Sequence, residues 1–408
     1  MTATAAPRTI TLPTSKDEEW RFTPLGGLAG LALELGDSPG RLGNADLTPY
    51  LFGHPEWPTV VVVDGRVDAA ASNFPTLPAG ARLLPLSQAI ADGDSVMRAH
   101  LHRHIGPGAT PFTALNTSLS VDGVFLHVPA NVTLTMPVHV VHVATSAAAG
   151  VTIAPRTLAV IEQGATATLI ETFVSLDPQG NYFTDACAEL VLGANARLEH
   201  IRVQRESAAA HHIGFTQVDQ QRDSHYRSFV LQLGGKMARH NLHATLNGPN
   251  IETLLYGLYL TSGEQLIDNH TAIFHNEPNC NSWEVYKGVL ADSSRAVFNG
   301  KVFVLPVAQK TDAKQTNRNL LLSDTAKVDT KPQLEIFADD VKCTHGATVG
   351  KLDELQRYYL QTRGIAGQTA QALLIWAFVA EVMMEVTVAA VRDALEATVR
   401  ERLEQMIA

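Results

Sequence analysis

The chain has little cysteine: Cys187, Cys280 and Cys343 are the only three in 408 residues, and no two stand at a CxxC spacing. One thiol stays free whatever the pairing, which excludes a disulfide-stapled scaffold and fits a reducing cytosol. Basic residues are scarce too, 31 Lys and Arg against 41 Asp and Glu, a formal net charge of -10. A nucleic-acid binder needs a cationic face to displace counterions from phosphates, so that class is excluded, and an anionic membrane surface is disfavoured likewise. Long apolar runs are missing. The longest, residues 372–380, falls well short of the roughly 18 residues that suggest a membrane span. The opening MTATAAPRTITLPTSKDEEW has no apolar leader segment. These absences predict a cytoplasmic, unexported protein with no membrane span. Catalytic signatures are also absent. The nearest approach to GxxxxGK[ST], Gly346-Ala-Thr-Val-Gly350-Lys351-Leu352, is one residue short and lacks the hydroxyl that would hold magnesium. No GxSxG or HExxH string occurs.

What is present is ample for burial: 45% apolar residues against 18% charged. At about 150 residues per domain the length predicts two or three domains. Residues 1–110 are rich in Pro, Gly and Leu. They hold a short apolar run, TVVVV at 59–63, closed by Asp64-Gly65, and weak helical patterns over 86–104; this reads as a small mixed and helical N-terminal domain. Residues 111–347 are dominated by β-branched residues and recurrent turn signals. A small-residue turn leading into an alternating strand recurs at Ala130, Ala165 and Ala194, steps of 35 and 29 residues, and more loosely at Pro249. Such steps suit coils of a β-solenoid, each unable to bury its apolar face alone; a β-sandwich would carry turns every 8 to 12 residues and no coil-length echo. Residues 348–408 turn helical, with one pattern over 353–362 stopped at Gly364 and a long stretch over 368–407. The apolar content there, including Trp376, Phe378, Met383 and Met384, exceeds what a two-helix hairpin hides, so it must pack on the solenoid or on a partner.

Two groups of residues could carry chemistry. The histidines cluster as His100, His102 and His104, as His139 and His142, as His211 and His212, and as His240 and His243. Imidazoles two apart on a strand share a face, as a metal enzyme would need. Yet no carboxylate stands at ligand spacing, and His100 to His104 read as helical, where such neighbours diverge. His270, His275 and Glu277 read as coil-surface residues, and Cys187 and Cys280 as core residues. The sharper feature is Val341-Lys-Cys343-Thr-His345-Gly346, where strand geometry puts Cys343 and His345 on one face. A thiolate beside an imidazole suits iron or thiol-borne sulfur, but two ligands cannot hold a cluster that wants four. Either another chain supplies the rest or the pair is structural.

Longer strings resolve this. Residues 310–365, KTDAKQTNRNLLLSDTAKVDTKPQLEIFADDVKCTHGATVGKLDELQRYYLQTRGI, closely resemble the SufB/SufD family of iron-sulfur cluster assembly proteins. Lys16-Asp-Glu-Glu-Trp20-Arg-Phe-Thr-Pro resembles the family's N-terminal motif. Ala114-Leu-Asn-Thr, Asp122-Gly-Val-Phe-Leu-His127 and Pro137-Val-His139 resemble the opening of its β-helix, and Tyr286-Lys-Gly-Val and Val297-Phe-Asn-Gly300-Lys-Val its later coils. CTHGATVG, and Asn317-Arg-Asn-Leu-Leu-Leu322 where SufB-type chains place a functional cysteine, favour the SufD branch. The resemblance implies a mainly β fold: a right-handed parallel β-helix between an N-terminal and a C-terminal helical domain. It implies a scaffold without catalysis, paired with a SufB-type subunit and a SufC-type ABC ATPase that hydrolyses ATP and docks on the C-terminal helices, at residues such as Trp376, Phe378, Met383 and Met384. Cys343 and His345 would then be ligands to iron or a transient iron-sulfur cluster at the shared interface, exposed when the ATPase strains the pair open. A subunit that only braces SufB, and a β-helix carbohydrate-active enzyme needing paired carboxylates on one face, are the competing readings. FAD, associated with such assemblies, has no fingerprint here, and a homodimer in the partner's absence stays open.

Overall fold

The computed structural model describes residues 10–43, 47–105 and 109–407; the first nine residues, part of the opening read for a leader, lie outside them. Its centre is a parallel β-solenoid. Successive strands alternate between two sheets, and each pairs in parallel with the strand one coil away, as Arg197–Arg205 does with Thr166–Ser175 and His225–Gln232. The expected mainly β solenoid is what the chain builds.

The coil-length echo has a backbone cause. Asn131, Asn195, Asp223, Asn250, Asn279 and Lys310 all sit at φ between +57° and +63°, the left-handed region that Asn and Asp tolerate best among residues with a Cβ. Each donates its N–H to a carbonyl of the next coil, Asn195 to Arg222 and Asp223 to Pro249 for example. The corners therefore stack with the strands, and the turn residues set the repeat.

The outer faces of both sheets are covered over the middle coils. On one sheet the N-terminal segment lays Trp20, Leu25 and Leu28 over Phe183, Ile213 and Met237. On the other, helices α5 (Gly367–Met383) and α6 (Ala389–Ile407) bury Ile375, Val379, Val382, Val391, Leu395 and Val399 against Ile201, Phe229 and Leu258. Each such side chain contributes about 1.5–3 kcal/mol. The shorter helices α1 (Leu86–Ala91), α2 (Ser95–His100) and α3 (Pro111–Leu119) lie near the first coils, and α4 (Glu354–Thr362) starts at the Asp353 cap. None of the described helices is long and apolar enough to cross a membrane.

Two helical expectations change. The pattern over 86–104 is two short helices parted at Gly93, whose φ is +66°, with Asp94 capping Met97. The stretch over 368–407 breaks after Met383, where the solenoid grips the chain from outside: Arg227 donates to the Glu385 carbonyl at 3.0 Å, Glu199 accepts from the Thr387 N–H at 3.2 Å, and Val386 is fully buried. The β-branched Val386-Thr-Val388 run favours the break.

The lumen is unusual in its polarity. Inward positions of the later coils hold Gln232, Asn269, Thr271, Glu284, Tyr286 and Gln315, all buried, and each has a polar atom with no protein hydrogen-bond partner. Left bare, such groups would cost about 1–3 kcal/mol each, together as much as the ~5–15 kcal/mol net stability of a typical domain. Strand glycines make room for them. A Cβ at Gly257 would lie 2.2 Å from the Tyr286 ring, and one at Gly288 2.1 Å from the Tyr259 ring. Gly257→Ala should therefore lower stability by about 1–3 kcal/mol through overpacking, read as a fall in the urea midpoint without a change of slope.

Candidate metal-ligand edge at the open end of the solenoid

The stack ends at strand Lys342–Gly350, which is the edge of its sheet and pairs only with Asp312–Leu321; the other sheet ends at Lys327–Ile336. In register, Cys343 lies beside Ala313 and His345 beside Gln315. Both neighbours are buried and face the lumen, so Cys343 and His345 project to the inward side of a strand that no further coil covers. Cys343 is half-buried and packs with Val302, Ala313 and Ala338; burial raises its thiol above the ordinary cysteine range, so it stays protonated at neutral pH until a metal or a cation draws the proton off. His345 is exposed. Among the described residues no three His, Cys, Asp or Glu side chains gather closely enough to hold a metal, so this edge offers two donors at most. Ile336 and Val349 on these terminal strands, and Phe337 just past the first of them, expose apolar surface.

The other histidines belong to the interior. Glu171 lies between His142 Nε2 at 3.4 Å and His200 Nε2 at 3.0 Å, and Glu206 accepts from His212 Nδ1 at 2.6 Å. The carboxylates missing from the local sequence thus arrive from neighbouring coils. His139 is held neutral by burial, its pKa lowered to about 3. His100 ends α2 and meets His104 at 3.1 Å, and His102 sits at φ +60°, so the helix stops at His100 and His102 and His104 lie in the turn beyond it. His270 and His275, expected on the surface, are buried: His270 beside Arg239 and Asp268, and His275 against Ser282 at 2.9 Å. Cys187 and Cys280 are buried as expected.

Two motifs prove to be latches. In Lys16-Asp-Glu-Glu-Trp20-Arg-Phe-Thr-Pro, Trp20 lies under the Arg239 guanidinium at 3.8 Å, Glu19 meets His270 at 3.2 Å, and Thr23 bonds Asp268. The His270 bond is the main reason the Glu19 carboxyl falls to about 2. In Tyr286-Lys-Gly-Val, the buried Lys287 ammonium donates to the Phe378 carbonyl at 2.7 Å, pairs with Glu381 and sits over the Phe378 ring at 4.8 Å. Phe378 is thereby half-buried on its own chain, Met383 is fully buried, and Trp376 stacks on Arg400 at 3.4 Å. Met384 is 63% exposed. Sequence reasoning missed a more open face on α4, where Leu355, Tyr358 and Tyr359 are 78%, 65% and 57% exposed; their i, i+3, i+4 spacing was the available signal.

Comparison with known proteins decides the family. A model described as "SUF system FeS cluster assembly, SufBD core domain" matches residues 142–378, and "SufBD protein N-terminal region" matches residues 56–140. The chain belongs to the SufBD family. An iron-sulfur cluster assembly SufBD family protein of Synechocystis sp. is 32% identical over 396 residues, covering 95% of this chain and 86% of that protein. The iron-sulfur cluster assembly protein SufD of Escherichia coli is 36% identical over 378 residues, 91% of this chain and 84% of that one. A Bacillus subtilis protein of the same name is 30% identical over 298 residues, covering 72% and 67%. These names agree with the SufD-type features of this SufBD chain, CTHGATVG and Asn317-Arg-Asn.

Lys287→Met should loosen the seating of α5 on the coils without detaching the C-terminal helices, which their apolar contacts still hold. The lost charged hydrogen bonds, each worth about 1.5–3 kcal/mol, would show as faster thermolysin cleavage within residues 367–407 and an unchanged strand signal in circular dichroism.

Proposed function

We propose that the chain is the SufD-type, non-catalytic subunit of an iron-sulfur cluster assembly complex. It joins a SufB-type scaffold through the open end of its solenoid and offers His345, with Cys343 beside it, to a nascent cluster that is cargo and not a resident cofactor. A neutral imidazole near pH 7 can bind iron through either ring nitrogen, and the SufB-type partner supplies the ligands this chain lacks. A SufC-type ABC ATPase docks on the C-terminal helices, with Met384 and the exposed α4 face as the points of contact, and hydrolyses the ATP.

The observation that carries this reading is the terminal strand: the two donor side chains lie on the one edge of the sheet whose backbone N–H and C=O groups have no further coil to pair with. An unpaired parallel edge accepts another strand, and the apolar Ile336, Phe337 and Val349 around it suit burial. The labour divides as the sequence does: residues 1–110 close the start, 111–347 carry the edge, and 348–408 take up the ATPase. The setting is the cytoplasm.

The test is anaerobic reconstitution of the chain co-expressed with SufB-type and SufC-type partners, comparing wild type with His345→Ala by visible absorption and iron content. The variant should assemble normally and build little cluster. Full cluster in a normally assembled variant would show that this subunit only braces its partner.

A further inference from the structure

Polar side chains line the lumen along much of the solenoid. In the first coils they stand among apolar Val138, Val140, Ala159 and Ile161 and largely pair with one another, as His142, Glu171 and His200 do. In the later coils the inward polar positions hold Gln232, Asn269, Thr271, Tyr286, Glu284 and Gln315, each more than nine-tenths buried and each with an oxygen or nitrogen that no protein group satisfies. Three of the last positions share one file across consecutive strands of one sheet: Glu284 is in register with Gln315, and Gln315 with His345. Gln315 donates to Glu284 Oε2 at 2.7 Å, leaving Glu284 Oε1 and Gln315 Oε1 unpartnered.

The backbone is shaped to admit these groups. A Cβ at Gly300 would lie 2.1 Å from the Gln315 side-chain nitrogen. Glycine inside a strand weakens it, so at Gly257, Gly288 and Gly300 the coils give up strand stability to seat polar side chains. Buried amides and carboxyls without protein partners are matched in folded proteins by ordered water. The backbone ladders wall the lumen on both sheets, and from Glu284 the end of the stack is only two strands away, past Gln315 to the edge strand where His345 stands.

We propose that the lumen of the later coils is a hydrated passage that carries protons between the Glu284 carboxyl and the open edge at His345. A proton leaving the carboxyl breaks its O–H bond and makes one to an adjoining water; the shift repeats along the file, and the last water gives the proton up at the edge. The reverse sequence restores the acid, and no electron moves. Amides do not shuttle protons, so Gln315 orients the water and Glu284 stores the charge. Burial lifts the Glu284 carboxyl to about 7, so both of its forms exist near neutrality. The use of this passage by a cluster at His345 rests on the function proposed above; the passage itself does not.

Infrared spectroscopy of the full chain alone, without partner or iron, separates the two. At about pH 5, below the raised carboxyl value, wild type should show the C=O stretch of a buried protonated carboxylic acid that Glu284→Gln removes. Transfer to D2O should shift that band far faster than the protein unfolds. Gln315→Leu, which plugs the file with an apolar side chain, should keep the band and slow its shift by at least about tenfold; Gln315→Met serves if the leucine variant does not fold. No band assignable to Glu284, a shift that waits for unfolding, or one equally fast in the plugged variant overturns the proposal, whatever the reconstitution with His345→Ala shows.

Discussion

Everything in this molecule depends on the parallel hydrogen-bond ladder between coils. Each coil satisfies its backbone only by lying against its neighbour in register, and the corner residues with positive φ, from Asn131 to Lys310, keep that register by bonding to the next corner. A ladder of this kind is strong along its length and has two ends that must be dealt with. At the start, strand Thr59–Val63 lies parallel to Val138–Ala144 and is closed by its antiparallel hairpin with Arg66–Val67, while strand Arg82–Pro85 runs antiparallel to Gly123–Val128. At the finish, no element among the described residues closes it. Cys343 and His345, the proposed ligands, stand at that unclosed end.

The lateral faces follow the same economy. Over the middle coils each sheet is buried on both sides, by a lumen within and by a covering segment without, and each cover is tied down by a cation taken from the solenoid: Arg239 for the N-terminal segment, Lys287 and Arg227 for the C-terminal helices. Removing water from around a cation is costly unless it is well paired. The pairs here are therefore position markers more than sources of stability: they fix where the covers sit, while the apolar side chains beneath supply the energy. The C-terminal helices are thereby held in place on the coils.

Much of the fold was legible in the sequence. The asparagine corners recur at coil length, and Asp353 and Gly364 bracket α4 as cap and stop. The same-face placement of Cys343 and His345 follows from strand period alone. What escaped has a common physical cause. In a strand buried on both faces, such as Phe183–Leu192 with all ten residues buried, alternation vanishes, so inward polar residues cannot be told from outward ones. His270 and His275 were misplaced for this reason. The partners of His142, His200 and His212 come from other coils or around a corner, at separations that strand period does not cover. That Cys343 and His345 lie on an unpaired edge could not be read at all from their spacing, because it depends on where the stack stops.

The central claim is that this edge is where the partner solenoid joins. Hydrogen–deuterium exchange of the chain, alone and with a SufB-type partner, tests it most directly. The account predicts that amides of Lys342–Gly350, and those of Lys327–Ile336 beside them, gain protection in the complex while the corners from Asn131 to Asn250 do not change. Complex formation with unaltered exchange in both terminal strands would contradict it.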